Sequence, residues 1–120
     1  MKKDGRTTLV HKLDILWSKV VRKYGECEVC GGIGHLNAHH IISRSNYKLR
    51  WDLQNGACLC SGHHSLCNLS AHKNPAWFMD IWLESKRPQD KRYLIEMCQV
   101  SGPVKTYELE EKYNRLKELE

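Results

Sequence analysis

A chain of 120 residues with a formal net charge of +5 has room for one modest core and leaves little for a second catalytic domain. It contains no apolar run long enough to cross a bilayer, and its basic start, "MKKDGRTTLVHKLD", lacks the apolar stretch of a secretory signal. These features predict a single soluble domain spanning residues 1–120, cytoplasmic and without a membrane partner; the mild positive charge suits a polyanion but does not by itself require one.

In chain order, Leu9, Leu13, Leu16, Trp17, Val20 and Tyr24 recur at helical spacing between charged residues, which predicts an amphipathic helix over 8–25 that Gly25 can end. Glycines and paired cysteines then exclude a long element before "HLNAHHII", which has the branched content of a short strand. "SRSNYKLRWDLQN" reads as a loop and "GACLC" as the return strand of a small hairpin. "HHSLCNLSAH" should start a short helix. Asn74 followed by Pro75 marks a restart, with Asn as cap and Pro in the first turn. The helix "AWFMDIWLESK" is apolar on most sides, so Trp77, Phe78, Ile81 and Trp82 are expected in the core. Pro88 opens another helix through Cys98, and "YELEEKYNRLKELE" closes the chain with a last one. The predicted organisation is a helix at 8–25, a metal-bound core at 26–73 and helices over 74–120.

The cysteines and histidines carry the chemistry. Thiols stay reduced inside the cell, so the six cysteines read as ligands rather than as a disulfide framework. Cys27-x2-Cys30 has the spacing of a knuckle whose two thiolates grip one ion, and Cys60-x2-His63 repeats it with a mixed pair. Together they predict a tetrahedral structural Zn2+ site that shapes a hairpin too small to hold itself. Cys58 and Cys67 lie close enough to replace Cys60 or His63. His39, His40 and His64 have no structural task in such a site, and with Asn55 they form a second polar cluster.

On "AHHI", Asn55 in "DLQN" and "LCSGHH" ending in His64, with the two metal pairs flanking them, the chain resembles the HNH endonuclease family of ββα-metal nucleases. "LDILWSKVVRKYGECEVCG", "RWDLQNGACLCSGHH" and "AHKNPAWFMDIW" also look like the HNH and recombination nucleases of phage genomes, over roughly residues 13 to 83. The resemblance implies an α+β fold, a small zinc-stapled ββα-metal motif embedded in flanking α-helices. It implies a metal-dependent DNA endonuclease, acting in the host cytoplasm if phage-encoded. His40 would be the general base, His39 and His64 the ligands of one catalytic divalent ion, and Asn55 the residue that holds the His40 region. Each role suits phosphodiester hydrolysis, which needs a base near neutral pH and a cation at the departing oxygen. Two imidazoles without a carboxylate lean toward Mn2+, Ni2+, Co2+ or Zn2+, with Mg2+ possible through water ligands.

Some geometry stays open at this level. His63 and His64 can exchange roles, and neighbours on a regular strand face opposite ways, so His39 and His40 share a site only if the strand ends or distorts there. His72 is read as a phosphate contact, a third ligand or a helix-surface residue, and His11 and His35 as solvated. Arg44, Lys48, Arg50 and Lys73 are the expected phosphate contacts. Lys19, Arg22 and Lys23 form a basic stripe on the first helix, read as a solvated face or as a second phosphate track. Trp51 is expected to pack under the loop, and a homodimer would be the simplest way to cut both strands. The competing reading is a zinc-finger DNA-binding or adaptor module without turnover.

Overall fold

The computed structural model describes residues 5–100 and 102–120; the opening "MKKD", read above for a targeting signal, lies outside them. Helix α1 (Gly5–Arg22) buries Leu13, Leu16, Trp17 and Val21, the i, i+3, i+4, i+8 stripe of a helix with one apolar face. It starts earlier than the periodicity suggests and stops at Arg22. Gly25, at φ +88°, then turns the chain, which leaves Tyr24 60 % exposed rather than in the core.

Strands β1 (Leu36–His40) and β2 (Gly56–Cys60) pair antiparallel, with Ala38 opposite Cys58, His39 opposite Ala57 and His40 opposite Gly56. A two-stranded sheet is marginal alone, and here both faces are covered. Ala38 and Cys58 meet Leu13, Leu16 and Trp17 of α1. Ala57 and Leu59, on the other face, meet Phe78, Trp82 and Leu83. The segment after β2 makes one π-helical turn, Gly62–Leu66, instead of the expected helix. The chain then folds back, with the Ala71 and His72 amides donating to the His63 and His64 carbonyls at 2.8 and 3.1 Å.

The second sheet face is closed by a continuous helical rod: α2 (Pro75–Trp77), a π-wound stretch (Phe78–Leu83) and α3 (Glu84–Lys86). Asn74 caps it as expected, its Oδ1 accepting from the Trp77 amide at 3.1 Å. The wider π winding brings Phe78, Trp82 and Leu83 inward, and Phe78 stacks on Trp82 with centroids 5.0 Å apart. It also turns Ile81 outward, 60 % exposed, against its expected place in the core. Helices α4 (Pro88–Met97) and α5 (Thr106–Leu119) follow; Leu109 and Leu116 of α5 pack on α1. Arg87, just before α4, donates to the Gly56 and Gln54 carbonyls at 2.9 and 3.0 Å and pairs with Glu28 at 3.2 Å, which ties the rod to the start of β2. The molecule is thus a small α+β fold, and no helix among the described residues is long and apolar enough to cross a membrane.

The contact of α1 with β2 depends on Gly56. A Cβ there would sit 2.6 Å from Val21 Cγ2 and 3.0 Å from the Trp17 indole, closer than packed side chains tolerate. Gly56→Ala is therefore expected to lower stability by about 1–3 kcal/mol through overpacking, read as a lower urea midpoint with an unchanged slope.

Candidate metal centres

Two donor clusters arise around the hairpin. In the first, Cys27, Cys30, Cys60 and His63 bring their ligand atoms within 4.8 Å of one another. Cys30 Sγ lies 3.9 Å from Cys60 Sγ, Cys27 Sγ 3.9 Å from His63 Nδ1, and Cys60 Sγ 3.3 Å from the same nitrogen. A tetrahedral ion with Zn–S of about 2.3 Å and Zn–N of about 2.0 Å spaces two sulfurs about 3.8 Å apart, and a sulfur and a nitrogen about 3.5 Å. These four residues could hold a metal ion such as zinc.

Local backbone explains how the knuckles form. Gly31 adopts φ +77°, a conformation costly for other residues, and its amide donates to the Cys27 carbonyl at 2.8 Å. The Gly32 amide points at Cys30 Sγ, 3.4 Å away, and the His63 amide at Cys60 Sγ, 3.5 Å away. Cys27 is buried, which would raise its thiol, but backbone amides of Cys60, Cys30 and Val29 outweigh this and hold it below the usual value. The two alternative cysteines lie outside the cluster. Cys58 is fully buried against α1, with its thiol pushed up by burial and by Glu28. Cys67 is exposed after the π turn.

The second cluster is His39, His64 and His72, ligand nitrogens again within 4.8 Å of one another. His64 Nε2 and His72 Nε2 are 3.1 Å apart, and His39 stands edge-on to both rings, at centroid distances of 5.2 and 4.9 Å. His72 thus joins as the third donor. Sequence left it among three alternatives because the fold-back that carries it to His64 has no local signature. His63 and His64, consecutive on the π turn, serve the first and second clusters respectively. Burial and the neighbouring imidazoles lower His39 to about 3, and burial followed by His72 lowers His64. Both are held neutral at pH 7, the form that binds a cation. Three imidazoles suit a borderline divalent ion and leave coordination positions open.

His40 occupies the last position of β1, and this strand end brings it to the same cleft as His39. The cleft measures about 600 Å³ and is lined by His39, His40, Arg44, His64 and His72 on one side, with Pro75, Phe78 and Met79 forming an apolar wall. His40 faces α1: its ring stacks on Trp17 and its Nε2 lies 3.0 Å from the Arg50 carbonyl. Burial lowers its basicity, partly offset by that carbonyl and by Asp14. Asn55 is fully buried. Its Oδ1 accepts from the Ile42 amide at 2.6 Å, and its Nδ2 donates to the Ile42 and Leu49 carbonyls at 3.0 and 3.1 Å. One amide side chain therefore closes the loop that leaves β1 just after His40.

The expected phosphate contacts divide. Arg44 is exposed, lines the cleft and lies 3.8 Å from Asp14. Arg50 needs correcting. It is 7 % exposed, held in a two-pronged pair by Asp14 at 3.0 and 2.7 Å, and its guanidinium stacks over Tyr47 and Trp51, so its charge is committed internally. Lys48 lines a different groove, against α5. Lys73 donates to the Leu66 carbonyl at 3.0 Å and so braces the fold-back. Trp51 is buried under the loop, its indole donating to Asp14 at 2.9 Å. On the α1 stripe, Lys19 pairs with Glu120 at 2.9 Å, Lys23 donates to the Leu119 carbonyl and Arg22 to that of Ser18. His11 and His35 are exposed. In the sequence Asp14 reads only as one of the charged residues between the apolar positions of α1, because its partners stand 36 and 37 residues away with no local spacing to betray them. Comparison with known proteins yields no matching family model, no similar curated protein and no similar solved structure.

Proposed function

We propose that this chain is a metal-dependent DNA endonuclease of the ββα-metal (HNH) type, with Cys27, Cys30, Cys60 and His63 as a structural zinc site and the three-histidine cluster as the catalytic metal site. The observation that carries this reading is the division of labour on one turn. His63 completes a closed four-donor set, while His64 contributes to an open three-donor set in a cleft that also contains His40. A purely structural zinc module needs only the first set.

A divalent ion on His39, His64 and His72 would supply positive charge at the scissile phosphate and at the departing 3′ oxygen. The chain's own residues supply the rest. His40, neutral at pH 7, takes the proton of the attacking water through Nδ1, since Nε2 is engaged by the Arg50 carbonyl. Arg44 binds a phosphate from the cleft rim as a contact that fixes position without reading bases. Asn55 keeps the loop after His40 closed, and so keeps the base in register with the metal ligands. Hydrolysis breaks the bond from phosphorus to the 3′ oxygen and leaves 5′-phosphate and 3′-hydroxyl ends, as the family resemblance implies.

The decisive experiment is cleavage of supercoiled plasmid by wild type and His40→Ala, each with zinc stoichiometry and folding verified, in EDTA and with Mg2+, Mn2+, Co2+, Ni2+ or Zn2+. Wild type is expected to cut only with an added divalent ion, and the variant to lose about 10²–10⁴-fold in rate. A nicked product would favour single-strand cutting, and a linear one paired copies. Equal inertness of both proteins with undiminished DNA binding would overturn the nuclease reading in favour of an adaptor module.

A further inference from the structure

The proposed base is held from two directions by residues other than the metal-cluster donors and Asn55. Its Nε2 stands 3.0 Å from the Arg50 carbonyl. A carbonyl only accepts, so Nε2 carries the proton and Nδ1 the lone pair. Against its face lies Trp17, ring centroids 4.0 Å apart and planes 12° from parallel. An imidazole held by a single in-plane hydrogen bond can still swing about that bond, and the flat contact with Trp17 removes that freedom.

Both supports are themselves anchored by α1. Trp17 Nε1 donates to the Asp52 carbonyl at 3.1 Å, which fixes the indole plane. Asp14, one helical turn before Trp17 on the same face, receives the Arg50 guanidinium through two hydrogen bonds and the Trp51 indole through a third. These three bonds grip residues 50 and 51 from their side chains, on both sides of the carbonyl that accepts from His40. Burial alone would raise the Asp14 carboxyl, but the hydrogen bonds from Arg50 and Trp51 outweigh it and keep it below its ordinary value, so the anchor is anionic at pH 7.

We infer that Asp14 and Trp17 are positioning residues for His40, fixing its imidazole as the Nε2–H tautomer with Nδ1 left as the nitrogen free to accept a proton. The catalytic meaning rests on the nuclease reading; the tautomer and its cause do not. The opposite tautomer would present an N–H where a base needs a lone pair.

The test uses the full chain, zinc-loaded and ¹⁵N-labelled, with long-range ¹H–¹⁵N spectra of His40 at a pH where it is neutral. Wild type should show a proton-bearing Nε2 and an unprotonated Nδ1. In Asp14→Asn and Trp17→Leu the two nitrogens should move toward a mixture, whereas Trp17→Phe, which keeps a flat face, should retain the wild-type pattern. In plasmid cleavage, Asp14→Asn and Trp17→Leu should lose about 10-fold or more in kcat with KM changed by less than about 2-fold, as for a misplaced base rather than a lost binding contact. If Asp14→Asn or Trp17→Leu fails to fold with zinc bound, the wild-type tautomer and the remaining variant carry the test. An Nδ1–H tautomer in wild type, or one unchanged in every folded variant, overturns the inference. If wild type cuts no DNA under any ion, the nuclease reading fails and the spectra still decide whether Asp14 and Trp17 fix the ring.

Discussion

Cys27→Ser is expected to abolish cooperative folding, and chelation of the metal should do the same to wild type. Cys27 is buried at the junction of the knuckle with β2, and the hairpin it secures has only five residues in each strand. Structural zinc contributes apparent free energies of about 10–16 kcal/mol in small metal-folded peptides, comparable to or above the whole stability of a domain this size. Far-UV circular dichroism with EDTA titration checks this: the helical signal should fall with metal loss and return on adding Zn2+ to wild type but not to Cys27→Ser. Cys67→Ser should behave as wild type. If Cys67→Ser released the metal as readily as Cys27→Ser does, the ligand set would be wrong.

His72→Ala should cost as much divalent-ion affinity at the second cluster as His64→Ala, about 10- to 100-fold or more, and should lower plasmid cleavage in parallel while the first cluster keeps its zinc. The parallel loss is the informative part, because the fold-back puts the two Nε2 atoms 3.1 Å apart, close enough to share one ion. Isothermal titration of zinc-loaded protein with Mn2+ or Co2+ measures it; a His72→Ala protein with wild-type affinity would return His72 to the helix-surface reading. The same cluster sets an acid dependence. His39 is depressed to about 3 in the folded protein, against about 6.5 in an unfolded chain. Its contribution to stability is therefore complete above pH 6.5 and declines as pH falls toward 3, because the unfolded chain takes up a proton that the folded cluster refuses. The slope over that window is about 1.4 kcal/mol per pH unit at most. His39→Phe should flatten the upper part of that slope in denaturation of protein that keeps zinc at the first cluster and carries no ion at the second.

The elements were legible where the physics is local. Helical spacing in "LDILWSKVV" predicts α1, "GACLC" as the return strand matches β2 residue for residue, and Asn74-Pro75 marks the start of the rod through a cap that needs no partner beyond its own first turn. The two C-x2 spacings likewise point to the first donor cluster, because a knuckle is built from neighbouring residues. Misplacements came where tertiary context decides. Tyr24 and Ile81 fit an apolar stripe by spacing, but a turn at Gly25 and a π-wound stretch rotate them outward.

What the sequence determined by itself, then, is most of the elements and the two two-residue spacings that point to the first donor cluster, each fixed by contacts a few residues apart. Tertiary structure alone decided which histidine serves which cluster, that His72 stands beside His64, and that Arg50 turns inward to Asp14. Those outcomes depend on a π turn that sends adjacent side chains to different sites, on a chain reversal, and on an ion pair closed across 36 residues. Side-chain type records a capacity to bind a metal or a phosphate. Which partner takes up that capacity is set by where packing and backbone hydrogen bonds bring distant segments together.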